Sequence, residues 1–265
     1  MGISRGTIHL IGKALSGSPR SGSVITFGVQ KVAASRAEAQ SSLTRAGIPA
    51  VEAAAANGAP LHQRDLFLML GYSQVQSIDV YDAESPTYVL DLNRPLPPEL
   101  FDRFDLVYDG GTTEHCFSVP DVLGNAARLL KVGGRIIHHL PLNNWVDHGF
   151  YQFSPTLFFD YYGANGFTDP SLTLHFSADG RESYIAYDPQ SDGMLPYGLG
   201  RNKQVMGFFT ATKAAAVEPV AFPIQGRYRR AFGGELRAPQ ESATPFARLK
   251  RSLKKRTFAL RAKRC

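Results

Sequence analysis

Cysteine, tryptophan and long apolar runs are scarce in this 265-residue chain. It has two cysteines, Cys116 and Cys265, and a single tryptophan, Trp145. Two distant cysteines make neither a disulfide framework nor a metal-ligand spacing, so a reducing cytoplasm is the expected setting. No stretch approaches the ~18 apolar residues of a membrane span. The opening MGISRGTIHLIGKALSG lacks the apolar core of a signal peptide. It carries Gly6 where a myristoylation motif needs Ser or Thr, and a terminal Cys265 leaves no prenylation box. The G-x-G-x-x-G loop of a dinucleotide-binding dehydrogenase is also missing.

Acidic residues are missing from one region. Arg248 to Arg264 holds nine Lys/Arg and no Asp or Glu, so a chain of formal net charge +6 has a body at −3. A mildly acidic body argues against a nucleic-acid-binding fold, which carries its basic patch on the folded surface. No nucleic-acid partner is expected. In the tail, Phe246, Leu249, Leu253 and Leu260 recur at loosely helical spacing among the cations. That pattern fits an anionic membrane surface, where each cation contributes about 1 kcal/mol. It also fits a nucleic-acid contact or a solvated terminus.

What is present centres on Phe104–His115, FDLVYDGGTTEH. Leu106, Val107 and Tyr108 are β-prone and apolar, and Asp109-Gly110-Gly111 ends the run. This is the pattern of a central parallel strand. Ligands of open α/β sheets bind beyond the carboxyl ends of such strands, so Asp109, Gly110, Gly111, Thr112, Glu114 and His115 fall where chemistry is expected.

Along the chain, residues 1–22 read as an arm with a short helix near Ile8–Leu15, and Ser23–Gly28 reads as a strand ending in glycine. Helices are predicted over Val32–Ala46, Ala50–Ala56 and Gln63–Leu70, with Gly47 and Gly71 as stops. Strands follow at Val75–Val80 and Thr87–Leu90. Pro95, Pro97 and Pro98 bar regular structure before the central strand. Ser118, Pro120 and Asp121 mark a helix start; Val122, Ala126 and Leu129 share its apolar face. Gly133-Gly134 precedes a fifth strand, and Asn143–Gly149 is a polar loop. Ser154–Tyr162 reads as a helix, Leu172–Phe176, Tyr184–Tyr187 and Val205–Lys213 as strands, and Pro223–Gly234 as irregular. Alternating strands and helices imply a doubly wound parallel sheet, and the closing meander an antiparallel edge.

Four motifs in order resemble the class I S-adenosylmethionine-dependent methyltransferases over roughly residues 23–140. They are Asp91-Leu92-Asn93-Arg94-Pro95-Leu96-Pro97, Phe104-Asp105-Leu106-Val107, Glu114-His115 and Leu129-Leu130-Lys131-Val132-Gly133-Gly134-Arg135. Val132 stands where the family has Pro. The loop NNWVDHGFYQFSP is similar to methyltransferase-like proteins associated with bacterial polysaccharide or glycan biosynthesis. The resemblance implies an α/β, Rossmann-like methyltransferase fold with a seven-stranded, mostly parallel sheet and an antiparallel edge, and S-adenosylmethionine as cofactor. It places Gly28 against the cofactor's methionine end, Asp79 (or Asp82) on the ribose hydroxyls, and Asp91 on the adenine amino group with Leu92 against the ring. Asp109 and Gly110 then face cofactor and substrate. The family's acid-x-Gly-x-Gly-x-Gly loop is altered. Thr26 replaces the acid, and Gln30 and Val32 replace the second and third glycines. Gln30 either offers an amide to the cofactor carboxylate or starts a helix.

For a hydroxyl acceptor a histidine base helps; His115 and His148 are the candidates. His138 and His139 lie on the fifth strand, one of them facing a helix layer. No ligand spacing among residues 138, 139 and 148 supports a metal. The expected organisation is an arm (1–22), a methyltransferase-like domain (23–235) and a basic tail (236–265). The expected activity is methyl transfer to a small-molecule or saccharide-like acceptor in the cytoplasm, with membrane association through residues 248–264. The rivals are a catalytically inactive binding or scaffold module in glycan biosynthesis, favoured by the altered loop, and a nucleotide-sugar-modifying enzyme. The latter wants more phosphate-cradling amides than Gly28-Val-Gln-Lys offers.

Overall fold

The structure is a computed structural model describing residues 2–49, 61–189, 200–218 and 220–232. The helix expected at Ala50–Ala56 and the basic tail lie outside the described residues. The chain divides into two compact units, 1–226 and 227–265. Within the second, the described residues belong to a short helix, α6 (Gly226–Phe232), where irregular chain was expected.

The strands are β1 (Gly2–Ile3), β2 (Ser23–Phe27), β3 (Lys31–Val32), β4 (Gln74–Asp79), β5 (Tyr88–Val89), β6 (Phe104–Asp109), β7 (Leu130–Asn143), β8 (Phe167–Ala178), β9 (Arg181–Ala186) and β10 (Gln204–Lys213). The other helices are α1 (Arg5–Leu15), α2 (Arg36–Arg45), α3 (Gln63–Met69), α4 (Val119–Leu129) and α5 (Pro155–Ala164). Eight strands form the main sheet, in the order β5-β4-β2-β6-β7-β10-β8-β9. The first five are mutually parallel; β10 runs antiparallel to β7 and β8, and β9 antiparallel to β8. The mostly parallel sheet with an antiparallel edge is therefore present, but the count of seven is corrected to eight. The count of seven came from the resemblance; the strand read at Tyr184–Tyr187 is present as β9, whose side chains are exposed along its whole length. The last strand in sequence, β10, is not at the rim but inserts between β7 and β8.

Strand side chains alternate between two cores, as period two demands. Ile25, Val107, Ile136 and Phe209 face the layer holding α4 and α5. Val24, Leu106, Ile137 and Phe208 face the layer holding α1, α2 and α3. The first helix corrects the expectation of an N-terminal arm. Ser4 Oγ caps α1 by accepting from Thr7 N at 3.1 Å, and Ile8, Ile11 and Leu15, at helical spacing, are buried in the second core. The predicted start of α2 at Val32 is four residues early, because Lys31–Val32 pairs in parallel with β1; α2 begins after a Ser35–Glu38 capping box. No helix among the described residues is long and apolar enough to cross a membrane.

Two of the motif pieces turn out to be joints. The Asp105 carboxylate accepts from Ser23 N at 2.7 Å and Lys131 Nζ at 2.9 Å, clamping the starts of β2, β6 and β7. Gly134 has no room for a side chain: a Cβ there would lie 2.9 Å from Lys131 O and 3.0 Å from Phe104 O.

The insertion of β10 also places β7 and β8 close enough for a buried histidine pair. His139 Nε2 lies 3.0 Å from His175 Nδ1 with the rings stacked, and His175 Nε2 lies 3.4 Å from Glu182 Oε1. Burial, then the neighbouring His175, lowers the His139 pKa to about 3. The unfolded chain therefore binds a proton below about pH 6.5 that the folded chain refuses, and this contribution to stability falls as pH drops through that range. Between pH 7 and 5 the loss is about 2 kcal/mol for this one group. In urea unfolding at the two pH values, His139→Phe is expected to lose about 2 kcal/mol less on acidification than the parent protein. An identical pH response in both would overturn this account.

Candidate functional site

The carboxyl ends of β2, β4 and β6 meet where the strand order reverses, with Phe27 in register with both Ile78 and Asp109. That is where an open α/β sheet leaves a crevice. Gly28 follows β2 at φ +71°, a left-handed conformation that glycine adopts without strain. A Cβ there would lie 3.0 Å from Thr112 Oγ1, 3.6 Å from Gln30 Nε2 and 3.8 Å from Asp79 Oδ2. Four of the expected cofactor residues, Gly28, Gln30, Asp79 and Gly110, are thus brought together. Gln30 is buried; its Nε2 donates to Phe27 O at 2.7 Å, while its Oε1 has no hydrogen-bond partner. Gly110 is bare because Gln30 lies over it: a Cβ would stand 2.4 Å from Gln30 Oε1. Asp79 accepts from Tyr81 N at 3.1 Å.

The turn after β2 is held closed by Thr26, Gln30 and Gln63. Gln63 Oε1 accepts from Gln30 N at 2.7 Å and lies 3.1 Å from the buried Thr26 hydroxyl, which also reaches Gly28 O at 2.8 Å. Gln63, from α3, was not legible as part of this turn because its partner is distant in sequence. Thr112 Oγ1 donates to Phe27 O at 2.7 Å and ties the turn to the β6 corner.

Asp91 sits on a separate loop. It accepts from Asn93 N at 2.9 Å and Asn93 Nδ2 at 2.8 Å, and these bonds hold its pKa below the usual carboxylate range. Leu92 is buried in the main core. Asn125 of α4, another residue the sequence reading did not single out, fixes this loop from beneath. It accepts from Leu96 N at 3.1 Å and donates to Leu92 O at 3.1 Å and Arg94 O at 2.8 Å.

Asp109, expected to face the ligand, is fully buried and committed to the protein. It accepts from Thr112 N at 3.0 Å, Thr113 N, the Thr113 hydroxyl and His138 Nδ1 at 2.8 Å. Since the carboxylate only accepts, His138 donates from Nδ1, and its Nε2 accepts from the Tyr162 hydroxyl at 2.6 Å. His138 and His139 therefore lie on opposite faces of β7, each locked into a different core.

The two candidate bases do converge, and on Glu114, which the sequence places at the same corner without a specific role. Glu114 is fully buried beside His115 and His148, with Oε1 3.8 Å from His115 Nε2 and 3.6 Å from His148 Nε2. Burial, reinforced by the charge of Asp109, pushes the Glu114 pKa up to about 8. Burial lowers the pKa of both imidazoles; His148 adds to the effect on His115. Both rings are therefore neutral at physiological pH. Around them Phe117, Phe150 and Val146 are exposed, with Phe117 and Phe150 packed edge to face. Cys116 is a poor nucleophile, its thiol pushed up to about 12 by burial.

No family model and no curated protein matches the sequence. Solved structures do. 1,6-Didemethyltoxoflavin-N1-methyltransferase of Burkholderia thailandensis, solved with S-adenosylhomocysteine, is 13% identical over 80% of this chain and 78% of its own, with a TM-score of 0.40. Geranyl diphosphate C-methyltransferase of Streptomyces coelicolor A3(2) is 12% identical over 78% and 77%, with a TM-score of 0.44. An S-adenosylmethionine-dependent methyltransferase of Thermotoga maritima is 14% identical over 79% and 90%, with a TM-score of 0.38.

Asp109→Asn is expected to destabilise the protein by about 3–5 kcal/mol, because it turns an acceptor into a donor against buried donors. Chemical unfolding measures this. A loss below about 1 kcal/mol would show that the four contacts do not act as a unit.

Proposed function

We propose that the chain is an S-adenosylmethionine-dependent methyltransferase acting on a hydroxyl of a small-molecule or saccharide-like acceptor. One observation carries the reading. At the reversal of strand order, Gly28 leaves a bare left-handed turn beside a buried, unpartnered Gln30 Oε1 and the Asp79 carboxylate. These residues fit the cofactor. Gly28 provides the close approach that a Cβ would fill, and Gln30 Oε1 is an acceptor for the ammonium of an amino-acid moiety. Asp79 is a carboxylate for ribose hydroxyls. Asp91, kept ionised by Asn93, accepts from the adenine amino group; Leu92 and Gly110 shape the walls from the core side. When bound, the cofactor supplies a methyl group on a sulfonium, already activated for transfer.

The chain's own part is placement and proton management. Phe117, Phe150 and Val146 give an apolar lip against which the face of a sugar or other ring can lie. A neutral imidazole at His115 or His148 would take the proton of the acceptor hydroxyl. Asp109 holds the corner from which His115 projects. The likeness of the 143–155 loop to glycan-associated proteins favours a saccharide acceptor, and the cations of 248–264 suit a cytoplasmic enzyme resting on anionic lipid.

A second reading, a binding module without catalysis, is favoured by Gln30, whose side chain fills ground that a second glycine would leave open. Calorimetric titration with S-adenosylmethionine and S-adenosylhomocysteine separates the two. Micromolar binding is expected, about 5- to 150-fold weaker in Asp91→Ala, equivalent to about 1–3 kcal/mol, and absent in Gly28→Val. Parent protein that binds neither compound up to millimolar concentration would sink the methyltransferase reading and leave the binding module.

A further inference from the structure

Glu114 poses a question that methyl transfer does not answer. It is fully buried, and neither carboxylate oxygen is hydrogen-bonded to another residue. Such a group is costly unless something neutralises or coordinates it. Its ion-pair partners among the described residues are two imidazoles and no lysine or arginine. A proton shared with either ring does not close the gap, because 3.8 Å and 3.6 Å exceed hydrogen-bond reach. His148 Nε2 is itself buried without a hydrogen-bond partner, and so is Trp145 Nε1 on the ring packed beside it.

One ligand atom each from Glu114, His115 and His148 lies within 4.8 Å of the others. Atoms bonded at about 2.0–2.2 Å to a common tetrahedral ion stand roughly 3.4 Å apart. The cluster is therefore roughly 0.2 to 1.4 Å too open relative to that spacing, a contraction asked of His115 and His148, which retain partial exposure. The backbone is already set for it. Glu114 O accepts from Phe150 N at 2.8 Å, and Gly149 lies against Glu114 so closely that a Cβ there would be 2.8 Å from Glu114 O. The loop carrying His148 is thus pinned to the turn carrying the other two residues before any ion arrives.

We infer that Glu114, His115 and His148 form a binding site for a divalent transition-metal ion. Two imidazole nitrogens and one carboxylate oxygen select zinc, cobalt or nickel over magnesium or calcium, and three protein ligands leave a position for water or an oxygen ligand. The buried, unpartnered Trp145 N–H belongs to a ring packed against His148. The ion would clip the turn after β6 to the loop after β7. The ion would occupy the two imidazoles named above as candidate bases, so with it bound neither ring takes the acceptor's proton through the nitrogen facing Glu114; the site uses none of the cofactor residues Gly28, Gln30 or Asp79.

The test uses the full chain, stripped with a chelator, dialysed and titrated with Co²⁺ while the visible ligand-field bands are followed. One equivalent is expected to bind with micromolar affinity, to be displaced by Zn²⁺ and to ignore excess Mg²⁺. Glu114→Gln and His148→Ala are expected to weaken binding by roughly 100-fold or more, beyond what loss of an outer-shell contact does. His115→Ala, altering a partly exposed ring, checks the result where the buried variant fails to fold. His9→Ala and Cys265→Ser should bind as the parent does. Absence of Co²⁺ bands and of Zn²⁺ uptake up to millimolar would overturn the proposal. So would parental affinity in the Glu114 and His148 variants, or loss of binding in Cys265→Ser. Because metal uptake is read without S-adenosylmethionine, its failure is distinct from failure of the methyltransferase reading.

Discussion

The buried carboxylate of Asp109 is the constraint on which the rest of this end of the sheet depends. A charge inside a sheet is tolerated only when fully hydrogen-bonded, and Asp109 gathers its donors from three residues in two places. Thr112 and Thr113 come from its own turn, and His138 comes from the next strand. Through His138 it reaches Tyr162 on α5. Once Thr113 is pinned by both its amide and its hydroxyl, the following residue has little freedom, and Glu114 is directed inward. Asp109 uses the local donors and leaves none for its neighbour. Two adjacent buried carboxylates thus end up in opposite states, one saturated and one orphaned. The orphan lies next to the two neutral imidazoles.

The turn after β2 is held by side chains. The Thr26 hydroxyl bonds Gly28 O, and Gln30 bonds Phe27 O. Both are coupled through the single oxygen of Gln63. Within the turn Gly28 has the positive φ that favours glycine. This side-chain network fixes the crevice wall and places one free acceptor, Gln30 Oε1, against Gly110. Preorganisation of this kind lowers the entropy lost on binding.

Local pattern made the central strand legible. Phe104–Asp109 is where Leu106 to Tyr108 and the following glycines put it, and the parallel order follows from the alternation of elements. What was not legible depends on partners distant in sequence. Lys31–Val32 becomes a strand only because Gly2–Ile3 lies beside it. The 1–22 segment reads as an arm because its few apolar residues are interrupted by Gly and Ser, yet they fall on one face of α1. The place of β10 between β7 and β8 is a topological choice, invisible to periodicity, and it alone makes the His139–His175 pair. That Gly28, Gln30, Asp79 and Gly110 share one crevice follows the resemblance, and the β6 corner that holds Glu114 follows from the strand pattern. The parts played by Asn125 and Gln63, and the burial of Glu114, were not legible, since a buried Asn, Gln or Glu looks in sequence like any solvated polar residue.

The contrast between the strand histidines and the loop histidines carries the functional argument furthest. His138 and His139 are held by the ladder of β7, His138 with both nitrogens engaged and His139 with Nε2 against the buried His175. His148 comes from a loop bent by two residues at positive φ, Asn144 at +61° and Asp147 at +63°. Asn and Asp tolerate this region better than other side chains, at a cost of order 1 kcal/mol each. Part of that strain is offset where Asn144 Nδ2 donates to Gly200 O at 2.9 Å and Lys203 O at 2.7 Å. The remainder is spent bringing His148, with an unpartnered nitrogen, onto the unpartnered carboxylate of Glu114. A loop that needed only to connect β7 to α5 would have no reason to maintain such a conformation. One that delivers a nitrogen to a buried carboxylate at the lip of a crevice does.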